Sequence, residues 1–115
     1  MTMILLYHLC SAADWTTTVR MGHYLPPAAR LEGFIHLSTV EQVEESAHKF
    51  FRNVTDLLLL TVDAAQLGAS LKWENAFPHL YGPLPVMAVL AVEGVSLDAA
   101  GYPNLPFLRS GGQHR

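Results

Sequence analysis

Three histidines, His8, His36 and His79, lie inside apolar stretches of this 115-residue chain. An imidazole in such a place is more often a hydrogen-bonded core group than a reactive one. Each of the three falls near a strand end or a constrained loop, however, where side chains from several elements can converge on one pocket. Glu74 follows Lys72-Trp73. It reads either as a surface carboxylate paired with a nearby cation, or as a group that binds a substrate hydroxyl, stabilises developing positive charge or takes a proton. Ser38 and Thr39 end an apolar run just before a helical pattern. Capping accounts for at least one of these hydroxyls, and a helix start also offers free backbone donors to an anion. Tyr81, beside Gly82-Pro83, can wall a pocket for a flat ring. His23, His48 and His114 carry no assigned role. Three histidines and a glutamate could serve zinc or iron, but the chain has no His-x-x-x-His, His-x-His or Cys-x-x-Cys spacing, and no metal is expected.

The elements that must position these residues follow from the hydrophobic pattern. Met3 to Leu9 is a continuous apolar run suited to a strand buried on both faces, and a central place in the sheet is expected for it. Ser11 caps a short helix carrying Trp15 and Val19, which Gly22 ends. His23 to Leu31, with Pro26-Pro27, reads as a loop. Phe34 to Leu37 is a short strand entered through Gly33. Ser38-Thr39-Val40-Glu41-Gln42 holds a capping box in either of two registers, Ser38 with Glu41 or Thr39 with Gln42, and opens a helix to Arg52. Asp56 to Asp63, with four consecutive leucines, reads as a buried strand, followed by a turn over 64–68 and a short strand over Leu71 to Glu74. Phe77 to Pro85 reads as a shaped loop with one brief extended piece, and Val86 to Glu93 as the last strand. The resulting order, β-α-β-α-β-β-β, points to an α+β fold with two helices in the N-terminal half. Residues 1–109 are expected to form a single domain and 110–115 a flexible tail.

Composition narrows the function classes. Half the residues are hydrophobic and 15% are charged, so the chain is too apolar for disorder. The formal net charge is −3, and the seven Lys and Arg residues are scattered. This argues against a broad nucleic-acid surface and leaves room for a small anionic ligand. The single cysteine, Cys10, forms no internal disulfide. With no basic start to a signal peptide and no run of about 20 apolar residues, no membrane partner is expected and a cytoplasmic location is.

Ile4-Leu5-Leu6-Tyr7-His8, Glu32-Gly33-Phe34-Ile35-His36-Leu37-Ser38-Thr39, Lys72-Trp73-Glu74 and Phe77-Pro78-His79-Leu80-Tyr81-Gly82-Pro83-Leu84 together resemble the signature of the small bacterial proteins grouped as domain of unknown function 952. The resemblance spans residues 3–95. It implies a fold like that of the ADP-ribosyltransferases, with a split, bent mixed β-sheet around a nicotinamide dinucleotide cleft. His8, Ser38-Thr39 and Glu74 occur in the order of that superfamily's cofactor-contacting, pocket-supporting and catalytic residues. On this footing the expected function is an enzyme, a transferase or glycohydrolase that binds NAD or a related nucleotide and cuts or transfers at the ribosyl bond. Glu74, His36 and His79 are its expected catalytic residues, and His8, Ser38, Thr39 and Tyr81 its cofactor-binding residues. The alternative is a non-catalytic small-ligand or metal-binding module using the same cleft.

Overall fold

The computed structural model describes residues 3–105; the expected tail over 110–115 lies outside them. The first apolar run forms strand β1 (Leu5–Ser11). The Ser11 hydroxyl accepts from the Asp14 N–H at 3.1 Å and caps helix α1 (Ala12–Val19). Strand β2 (His23–Tyr24) and helix α2 (Pro27–Glu32) then occupy the stretch expected to be a loop. Pro27 stands at the start of α2, where its missing N–H has no intrahelical partner to lose. Ala28 to Glu32 are good helix formers, and Gly33 closes the helix at a φ of 95°. Strand β3 (Ile35–His36) leads into helix α3 (Val40–Phe50). The capping box uses the Thr39–Gln42 register, with Gln42 Oε1 accepting from the Thr39 N–H at 3.0 Å.

The leucine run forms strand β4 (Leu57–Asp63), followed by 3-10 turns over Ala64–Gln66 and Gly68–Ser70. Strands β5 (Leu71–Glu74) and β6 (Phe77–Leu80) make a hairpin through Asn75 and Ala76, both at positive φ as a tight two-residue turn requires. Strand β7 (Leu84–Pro85), a 3-10 turn over Val86–Ala88 and strand β8 (Val89–Gly94) complete the order. The architecture is α+β with three helices, one more than expected. The supposed loop at Phe77 to Leu80 is a full strand, and the last strand begins only at Val89.

The strands form three sheets, in the orders β1-β4-β8, β2-β7 and β3-β6-β5. Every pairing among the named strands is antiparallel, which corrects the expected mixed sheet. The middle strand of the first sheet is β4, not β1. Its leucines alternate between two cores: Leu60 and Val62 pack with Leu6, Tyr24, Ile35, Leu80 and Leu84, while Leu57 and Leu59 pack with Leu9, Val43, Ala47 and Leu105. On β8, Ala91 pairs with Thr61 and Val89 with Val62, so Leu90 is an extra, unpaired residue that bulges the strand. The free edge of β1 meets the chain just after β3, where Tyr7 and Ser38 exchange two backbone hydrogen bonds of 2.8 Å. This bridge joins the first sheet to the sheet that carries the site. Among the described residues no helix is long and apolar enough to cross a membrane.

Candidate functional site

Alternation along strands decides which side chains share a face. On the β3-β6-β5 sheet, Ile35, Pro78 and Leu80 turn to the core, and Trp73 lies on that side as well. Phe34, His36, Lys72, Glu74, Phe77, His79 and Tyr81 take the other face. In register, His36 stands opposite His79, and His79 opposite Lys72, a row of three across three strands. The Leu37 N–H bonds to the Pro78 carbonyl at 3.0 Å, so the next pair along, His36 with His79, is of the non-hydrogen-bonded kind, in which opposing side chains approach most closely. Their ring centroids are 5.3 Å apart. Pro78 is tolerated in a middle strand because its absent N–H would face Leu37, just past the end of β3, so that only a terminal bond of the ladder is lost.

Glu74 is the hub of this face. Its Oε1 accepts from His79 Nδ1 at 2.7 Å and from the Tyr81 hydroxyl at 2.7 Å. The bonds from His79 and then Tyr81 hold the Glu74 carboxyl below the usual carboxylate range, and the same contact raises the Tyr81 phenol, which stays protonated as donor. Because Nδ1 of His79 donates to the carboxylate, its Nε2 carries the lone pair in the neutral ring. His36 is oriented by a second carboxylate: its Nε2 donates to Glu32 Oε1 at 3.0 Å, which leaves the lone pair on Nδ1. Phe34 is the floor, stacked on His79 at 4.2 Å and within 5.3 Å of Tyr81. The face is open to water; the His36 side chain is 60% exposed and that of Glu74 42%.

The expected site residues therefore divide. His36, Glu74, His79 and Tyr81 come together. His8 lies beneath them, 9% exposed, with both ring nitrogens engaged inside the protein: Nδ1 donates to the His36 carbonyl at 2.6 Å, and Nε2 accepts from the Tyr24 hydroxyl at 2.9 Å. Burial lowers its pKa to about 4, so the ring is neutral. Ser38 is 8% exposed and gives its backbone to Tyr7, while Thr39 is the cap of α3. Phe34, Glu32 and Tyr24 join the site and its support without having been expected there. The period-two pattern of Phe34-x-His36 and Phe77-x-His79-x-Tyr81 carried the signal for Phe34. Nothing local marks Tyr24.

Trp73 is 53% exposed. It lies across β5 from Glu74, beside a shallow apolar hollow of about 530 Å³ lined also by Met3, Ile4, Ala64 and Leu71. Among the described residues no three His, Cys, Asp or Glu side chains are grouped so as to hold a metal ion.

Residues 9–92 match the profile of a family described as Protein of unknown function (DUF952). The crystal structure of protein CC0527 from Caulobacter crescentus is 41% identical, covers 91% of this chain and 98% of its own, and superposes with a TM-score of 0.86. The solution NMR structure of CC0527, also 41% identical, covers 90% and 94% with a TM-score of 0.78. No curated protein matches the chain.

Proposed function

We propose that this chain, which belongs to the DUF952 family, binds NAD or a related nucleotide on the His36–Glu74–His79–Tyr81 face and cleaves or transfers at the ribosyl bond, as an ADP-ribosyltransferase-like fold would. The observation that carries the reading is the double donation from His79 and Tyr81 onto one oxygen of Glu74, which fixes an ionised carboxylate beside an aromatic floor and leaves Oε2 for a ligand. A carboxylate so placed stabilises the positive charge that grows on the ribosyl carbon as its bond to nicotinamide breaks. Phe34 and Tyr81 offer faces to a flat ring.

In the hydrolytic form, a water oxygen bonds to the ribosyl C1′ as the C1′–N bond breaks. The bond pair leaves with nicotinamide and neutralises its ring nitrogen. The water's proton passes to Nε2 of His79, which Glu74 holds in the accepting tautomer. His36, similarly oriented by Glu32, binds the ribose or an acceptor hydroxyl. Ser38 and Thr39 serve through the backbone, by the bridge to Tyr7 and the cap of α3.

Incubation with millimolar NAD is expected to release nicotinamide, with Glu74→Gln lowering the rate on the order of 100-fold while NAD still binds. Absence of both nicotinamide release and binding heat in the unsubstituted protein overturns the reading. The exposure of His36 and Glu74 favours a second reading, a non-catalytic small-ligand module, for which NAD binds and no nicotinamide appears.

A further inference from the structure

The seam between the two three-stranded sheets is one residue pair wide. If the Tyr7–Ser38 bridge continued as an antiparallel ladder, the next hydrogen-bonded pair would be Leu9 with His36. The strands part instead, and the His36 carbonyl, which faces away from β6, receives the ring N–H of His8 at 2.6 Å. That ring is itself held. A carbonyl only accepts, so Nδ1 must carry the proton, and Nε2 must then accept from Tyr24. Tyr24 is fully buried, Trp15 packs over it at 5.6 Å, and its hydroxyl also contacts the Cys10 thiol.

We infer that His8, its Nδ1 fixed as donor by the His36 carbonyl and its ring held in place by the Tyr24 hydroxyl, is a positioning residue that sets where β3 presents the His36 ring to His79. The inference rests on the reading that His36 belongs to the functional face. It assigns His8 a place under the site in which its ring does not touch the nucleotide. The His8 side chain stands in for the missing strand pairing; the carbonyl makes Nδ1 the donor, and the Tyr24 hydroxyl then donates to the bare Nε2 and holds the ring. The ionisable group that faces it across the seam is His36.

Imidazole NMR tests this without any nucleotide, so it can succeed where NAD cleavage fails, and the reverse. In the unsubstituted protein the expected ¹⁵N pattern for His8 is a protonated Nδ1 and a bare Nε2. Tyr24→Phe removes the hydroxyl and keeps the ring. It is expected to move the titration midpoints of His36 and His79 and to leave that of His48, which stacks on Tyr102, in place. A purely structural role would lower stability and leave all native-state midpoints unmoved. His8→Asn, whose amide can reach the same carbonyl, is expected to keep the His36 midpoint closer to the original than His8→Leu does. A protonated Nε2 on His8, or unmoved His36 and His79 midpoints in Tyr24→Phe, overturns the inference. Should Tyr24→Phe fail to fold, the tautomer and the Asn–Leu comparison decide alone.

Discussion

His8 makes the stability of the protein depend on pH. The unfolded chain takes up a proton on this imidazole near its ordinary pKa of about 6.5, whereas the folded chain resists until about 4. Below pH 6.5 the unfolded state therefore binds more protons, and stability falls on acidification until both states are protonated. The loss expected from His8 across that window is on the order of 3 kcal/mol, full stability being present above pH 6.5. Urea unfolding at a series of pH values measures it, and His8→Asn should flatten the slope between 6.5 and 4. Glu74 acts in the same direction at lower pH: its carboxyl is depressed in the fold, so its contribution is lost as acid protonates it. At this scale the sequence was informative about identity and less so about placement. His36, Glu74, His79 and Tyr81 could be named from their settings. That His8 belongs under the face could not be read, since its partners are 16 and 28 residues away.

Among the elements, two turns show one backbone rule acting with opposite signs. Gly33 ends α2 at a φ of 95°, and an L side chain there is strained whatever space surrounds it. Ala76, at a φ of 70° in the β5–β6 turn, already carries such a strain. Gly33→Ala is expected to cost about 1 kcal/mol, and Ala76→Gly to add roughly 0.5 kcal/mol once the greater freedom of unfolded glycine is subtracted. Denaturant midpoints of the two variants should shift in opposite directions, provided that Ala76 keeps accepting from Gln42 Nε2, at 2.7 Å in the parent. Elements with a strong local signal were legible: a capping box ahead of α3, though not its register, and the leucines of β4. The missed ones, α2 and β6, contain prolines that usually mark irregular chain. Pro27 stands at a helix start, where a helix tolerates it, and Pro78 faces the end of β3, a neighbour far back along the chain.

For the molecule as a whole, β4 separates two cores, and Leu59 and Leu60 are each fully buried on opposite sides of it. Leu59→Ala and Leu60→Ala should each cost about 2–5 kcal/mol in urea unfolding. Only Leu60→Ala opens space in the core that holds Tyr24, so it alone should also disturb the His36 and His79 resonances. The run of four leucines announced burial on both faces. It could not announce which sheet neighbours β4 takes, because antiparallel partners are chosen by complementarity across the fold. The bulge at Leu90 has a consequence for life at high concentration. The segment Val89-Leu90-Ala91-Val92 is the kind of β-prone apolar window that templates fibrils when it lies flat on an open edge, and Leu90 and Val92 are 48% and 42% exposed. One surplus residue breaks the hydrogen-bonding repeat that a second chain would have to copy, the device by which bulges blunt edge-to-edge pairing of sheets.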